Sequence, residues 1–156
     1  MHDCFHLLNL YAPTLLECAM RSKGDRDFVQ KKYDQRWASM ARAIEANGIF
    51  EAMTCIFDFL WNASENNKDS CVEYLSFIDG TVHRALQATD GAARKQMEKL
   101  VISMIVSFGE KRSEYKNHFA EIAVVESLMT KGGFKLECIE RSLPNGNKID
   151  FPSVPM

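Results

Sequence analysis

The hydrophobic repeat of this chain changes period near Gly132. Before it, apolar residues recur every three or four positions; after it, from Phe134 to Phe151, they alternate with polar ones. The first pattern is that of amphipathic helices and the second that of strands. The sequence therefore predicts a mainly α protein. Residues 1–131 form an irregular bundle of five or six helices, and residues 132–156 form a C-terminal β-hairpin and tail. A lone hairpin buries too little surface to stand by itself. It either packs on the bundle or begins a sheet whose remaining strands lie elsewhere, including in a partner.

The helical part divides at its breakers. Residues 4–20 read as one helix that Pro13 kinks or splits. After Ser22-Lys23-Gly24, with Asp25 as the expected N-cap, a second helix runs over 26–46 with the stripe Val29, Tyr33, Trp37, Met40, Ala41, Ile44. Asn47-Gly48 ends it, and a third helix from Ile49 to Trp61 follows at once, which predicts an antiparallel pair. Residues 62–68 are polar and read as a surface loop. The fourth helix starts at Asp69 or Ser70 and buries Cys71, Leu75, Ile78, Val82 and Leu86. The fifth carries Met97, Leu100, Val101, Met104, Ile105 and Phe108 and is the expected centre. The sixth spans 112–130. Phe50, Phe57, Trp61, Trp37 and Phe108 are the expected aromatic core, each worth about 1.5–3 kcal/mol when buried.

Composition narrows the function classes. At 46% apolar and 26% charged residues over 156 positions, this is the make-up of one globular domain. A net charge of −2 gives no global attraction to nucleic acid or anionic lipid. The most apolar stretch, Leu100 to Phe108, is far shorter than the ~20 residues a spanning helix needs, so no membrane partner is expected. No basic region precedes an apolar run at the start, so no secretory signal is expected. Cys4, Cys18, Cys55, Cys71 and Cys138 are odd in number, widely spaced and free of Cys-x-x-Cys, which predicts buried free thiols and a cytoplasmic setting. Asn62-Ala63-Ser64 then reads as a chance match to a glycosylation acceptor.

Phe119-Ala120-Glu121-Ile122, Lys131-Gly132-Gly133-Phe134-Lys135-Leu136 and Gly146-Asn147-Lys148-Ile149-Asp150-Phe151 together resemble the opening of the PD-(D/E)xK nuclease-like fold. In that family a glutamate-bearing helix leads through glycine into a strand hairpin. The returning strand carries a metal-binding aspartate. The resemblance covers residues 115–151 and implies Asp150 as a metal ligand, Glu121 as a supporting carboxylate and Mg²⁺ as the cofactor. Carboxylate-held Mg²⁺ would activate water against a phosphodiester. The family's next strand carries the (D/E)-x-K element, which does not follow in the sequence to Met156, so the resemblance extends to the first part of such a core. On their own, Asp150 and Glu121 read as solvated surface residues.

Other groups are weaker pointers. His2-Asp3-Cys4-Phe5-His6 places metal-competent side chains within five residues, with a frayed helix start as the ordinary reading. His83 and His118 stand on separate helices. Glu126 falls on the apolar stripe of the sixth helix; the edge of the stripe is its expected place, an arginine partner the alternative. Lys31, Lys32 and Arg36 form one basic group and Lys111, Arg112 and Lys116 another, each a candidate nucleic-acid contact diluted by Asp25, Asp27, Asp34, Glu110 and Glu114. No complete catalytic set emerges. The expected function is a small non-enzymatic helical module that binds and regulates a partner protein, with no cofactor. The alternatives are the N-terminal part of a metal-dependent nuclease or a helical nucleic-acid-binding regulator.

Overall fold

Pro13 splits the first helical stretch in two. In the computed structural model α1 (Cys4–Tyr11) is closed at Ala12, whose backbone leaves the helical region, and α2 (Pro13–Met20) starts afresh with Pro13 at its first position. Proline suits that place, because its missing N–H would have no partner there anyway. Ala12 offers no side-chain cap. The cap comes from 64 residues away: Asp79 Oδ1 accepts the Leu15 N–H at 3.0 Å. The structure describes residues 3–108 and 114–131, together with the backbone of 134–136, 140–142, 148–150 and 153–155.

Seven helices are present among these residues. After α1 and α2 come α3 (Lys23–Asn47), α4 (Ile56–Glu65), α5 (Asp69–Gln87), α6 (Gly91–Val106) and α7 (Tyr115–Lys131). The chain is thus mainly helical, with one helix more than six because of Pro13. Ser22, not Asp25, caps α3: its Oγ accepts the Asp25 N–H at 3.0 Å, so the helix begins one turn earlier than Asp25 implied. Gly48 ends α3 with φ +80°, a conformation glycine adopts without a Cβ penalty, and its N–H returns to the Ile44 carbonyl. α5 likewise begins at Asp69 itself, behind Lys68.

The larger correction lies between Ile49 and Lys68. The expected third helix from Ile49 is an irregular strap up to Cys55, and α4 starts only at Ile56. Residues 62–65, expected in a surface loop, are the last turn of α4, and Asn62 is fully buried. The expected close antiparallel pairing is replaced as well: α4 packs most closely on α5, then on α1 and α6.

The core lies around α6, which touches α2, α3, α4, α5 and α7 and buries Met97, Val101, Met104 and Ile105. The five expected positions of α5, from Cys71 to Leu86, are all buried. Among the expected aromatics, Phe57 is fully enclosed and packs edge-on to Tyr33 at 5.3 Å, and Phe50 is nearly so. Trp37, Trp61 and Phe108 are only half-buried, and Trp37 and Phe108 pack against the core from its border. Cys4, Cys18, Cys55 and Cys71 are free and buried. Burial pushes the thiols of Cys18 and Cys55 up to about 12, which keeps them protonated and unreactive. No helix among the described residues is long and apolar enough to cross a membrane.

Past α7 the described backbone comprises four three-residue strands. β1 (Phe134–Leu136) pairs antiparallel with β4 (Ser153–Pro155), and β2 (Glu140–Ser142) with β3 (Lys148–Asp150). This register sets Pro155 opposite Phe134. Cys138 and residues 143–147 lie outside the described residues.

The remote cap of α2 is testable. Asp79→Ala is expected to lower stability to urea by about 1 kcal/mol, and Asp79→Asn, which keeps an acceptor oxygen, by less. Burial raises the Asp79 carboxyl above its ordinary 3.8, against the opposing pull of the Leu15 and Thr14 hydrogen bonds. A raised carboxyl binds its proton more tightly in the folded chain. Its proton-linked contribution is therefore complete below the unfolded value and fades as pH rises through the folded one. Between about pH 7 and about pH 4 the wild type should gain stability relative to Asp79→Asn. A difference that stays flat with pH would contradict this placement.

Candidate functional site

The strap from Ile49 to Cys55 is fixed to α4 by a matched set of hydrogen bonds. Asp58, Asn62 and Asn66 follow one another at four-residue steps along one face of α4 and its C-cap. They meet Thr54, Ala52 and Phe50, which follow at two-residue steps in the opposite direction. Asp58 Oδ2 accepts the Thr54 N–H at 3.0 Å and its hydroxyl at 2.9 Å. Asn62 Nδ2 donates to the Ala52 carbonyl at 3.0 Å, and Asn66 Nδ2 to the Phe50 carbonyl at 3.0 Å. Four helical residues rise about 6.0 Å and two extended residues about 6.6 Å, so the two rows stay in register.

The ladder is also closed within itself. Asn62 Nδ2 donates to the Asp58 carbonyl at 2.9 Å, and Asn66 Nδ2 to Asn62 Oδ1 at 2.7 Å, so both amide groups use both protons. Arg36 from α3 completes it, its Nε and Nη2 each 2.9 Å from an oxygen of the fully buried Asp58. Burial alone would lower the Arg36 pKa; its hydrogen bonds and charge contact with Asp58 outweigh it and raise the pKa, so the guanidinium stays charged. A bidentate, fully satisfied pair is the geometry in which a buried charge is tolerated.

This arrangement shapes a groove. The strap returns over the end of α3 and places Phe50 under the Arg36 guanidinium, 5.4 Å from the ring centre. Trp37 of α3 and Trp61 of α4 meet at 5.1 Å with their planes tilted by 51°. Together with Ile44, Ile49 and Phe50 they line a hollow of about 520 Å³, with Glu45 and Glu65 also on its wall. Ile49 is 51% exposed. A second hollow of about 410 Å³ lies between Met53, Phe59, Cys71, Tyr74 and Tyr115, beneath the Tyr74–Tyr115 hydroxyl pair at 3.0 Å.

The sequence candidates are scattered. Glu121 is half-buried on α7. Asp150 lies in β3 opposite Glu140, and its side chain is outside the described residues. Asp3 caps α1 through the Phe5 N–H at 3.0 Å, Cys4 is buried, His6 is exposed and His2 is outside the described residues. Among the described residues no group of three His, Cys, Asp or Glu side chains is placed to hold a metal. Of the basic candidates, Lys31 and Lys116 are exposed. Lys32 lies over the rings of Phe28 and Phe108 at 5.7 and 6.0 Å, and Arg36 is committed to Asp58. Lys111 and Arg112 are outside the described residues. His83 is exposed, and His118 is half-buried, its Nδ1 without a hydrogen-bond partner among the described residues. Glu126 takes the arginine rather than the bare edge: Arg84 Nε donates to its Oε1 at 3.2 Å. Burial of Asn62, with both amide protons engaged, closes the glycosylation acceptor to modification in the folded chain.

Asp58, Asn62 and Asn66 escaped the sequence reading, although a four-residue polar repeat inside an otherwise apolar helix is itself a signal of buried hydrogen bonding. Asp58→Ala would leave the Arg36 guanidinium and the Thr54 N–H without their acceptor. The expected loss is about 3 kcal/mol, the low end for a broken buried pair because Arg36 keeps some contact with water. Adding Arg36→Met should restore part of it. Chemical denaturation of the wild type and the two variants gives the comparison; a loss under about 1 kcal/mol for Asp58→Ala would show that the pair does not hold the strap. Compared with protein-family models, with curated proteins and with solved structures, the chain gives no significant match, and its functional reading rests on its own geometry.

Proposed function

We propose that the protein is a small non-enzymatic helical module that binds a partner protein through the groove between α3, the strap and α4, and regulates that partner by occupying it. One observation carries the reading: two tryptophans and an exposed isoleucine line a surface hollow whose walls are held by a closed hydrogen-bond ladder. Half-exposed, Ile49 forgoes part of the burial that large apolar side chains ordinarily gain. Tryptophan in a pre-formed, well-packed hollow is the commonest anchor of protein–protein binding energy. Preorganisation supports it too, since a wall already fixed by hydrogen bonds loses little further freedom on binding.

Ile49→Glu tests this without touching the core, because the side chain already lies mostly in solvent. The variant should unfold at the same urea concentration as the wild type. Immobilised wild-type protein should retain a protein from the native-cell extract that the variant loses by at least tenfold, read by quantitative mass spectrometry. Equal retention by both forms would remove the groove as the binding surface.

A further inference from the structure

The second hollow, of about 410 Å³, is lined by aromatic rings and by sulfur. Phe59 meets Tyr74 at 4.8 Å between ring centres and Tyr115 at 5.8 Å. The Cys71 thiol donates to Met53 Sδ at 3.5 Å. Rings and divalent sulfur both favour contact with a further aromatic ring, the first by edge or offset packing and the second through its polarizability. The polar groups of the hollow are of the donor kind. Tyr74 and Tyr115 join their hydroxyls at 3.0 Å; two hydroxyls carry two protons, and the bond between them uses one. Burial raises the Tyr115 phenol above its ordinary value and the Tyr74 hydrogen bond adds to the rise, so Tyr115 keeps its proton. Lys116, exposed at the rim, brings a positive charge. Two helices also begin here: Ser70 and Cys71 are the second and third residues of α5, and Tyr115 and Lys116 the first two of α7. Their first turns add the positive ends of two dipoles, tempered by the exposed carboxylates of Asp69 and Glu114 beside them.

We infer that this hollow binds a small aromatic carboxylate, its ring set among the Phe59, Tyr74 and Tyr115 rings and the Met53 and Cys71 sulfurs, its carboxylate met by Lys116 and a hydroxyl of the tyrosine pair. The site stands apart from the groove at Trp37 and Trp61 and does not depend on the partner-binding reading. Its volume lies toward the small end for ligand pockets, which suits an acid of one ring. The ring supplies the apolar burial, and the carboxylate fixes the orientation through charge-assisted hydrogen bonds. Met53, 45% exposed, is covered on binding, and the ligand then bridges the strap, α4, α5 and α7.

Three probes separate the ring from the charge. Benzoate has both, benzamide has the ring without the charge, and acetate has the charge without the ring. In amide and methionine-methyl NMR spectra of the full chain, benzoate should saturably shift the Cys71 and Lys116 amides and the Met53 methyl, with a dissociation constant of about 1 mM or below. Benzamide and acetate should each bind about tenfold more weakly or worse. Lys116→Ala, at an exposed position, should leave the unfolding midpoint unchanged and weaken benzoate about three- to tenfold. Ile49→Glu, which tests the groove, should leave benzoate binding unchanged, so the two readings stand or fall separately. No saturable shift at these residues, equal binding of benzamide or of acetate, or unchanged affinity in Lys116→Ala would each overturn the inference.

Discussion

The buried carboxylate of Asp58 ties together three pieces of chain: α3, the strap and α4. It accepts two hydrogen bonds from Arg36 of α3 and two from Thr54 of the strap, from its own place in the first turn of α4. A buried carboxylate with fewer donors would cost several kcal/mol; with four it orders its surroundings. The strap then has one position, and that position fixes the aromatic groove. Without it, Ile49 to Cys55 would be seven mostly apolar residues with no regular backbone pairing. Such a segment is more naturally helical or mobile than extended.

The ladder also explains why the aromatic residues divide as they do. Phe57 and Phe59 face the interior from α4, toward Tyr33, Tyr74 and Tyr115. Asp58, Asn62 and Asn66 occupy the face that meets the strap. Trp61 is left between these faces, half-covered by Trp37. A helix of ten residues thus serves the core, a polar clasp and a surface hollow at once. Asp79 does for α2 what Asp58 does for the strap: a buried acid from a neighbouring helix satisfies backbone donors that the local sequence leaves open.

Much of the fold was legible in the sequence. Helical periodicity found α3, α5, α6 and α7, and Pro13 and Gly48 marked real boundaries, because single-residue backbone constraints act locally. The strap was misread for a physical reason. Ile49, Phe50, Met53 and Ile56 fall at helical spacing, and nothing local distinguishes them from a helix. What decides against it is long-range: Asn62 and Asn66 take the Ala52 and Phe50 carbonyls that a helix would have used internally. The same polar residues, seen only as composition, looked like a surface loop. The groove was illegible on the same ground, since Trp37 and Trp61 read as core until the strap beside them is placed.

Amide hydrogen exchange at Thr54 tests the central claim most directly. Its N–H lies in an irregular segment, and Asp58 is the acceptor that shields it. If the ladder holds the strap as part of the folded unit, the Thr54 amide exchanges only on global unfolding, as slowly as the core amides of α6. Exchange at the rate of an exposed loop, with α4 and α6 still protected, would mean that the strap opens independently and that the groove is not a fixed feature of the native state.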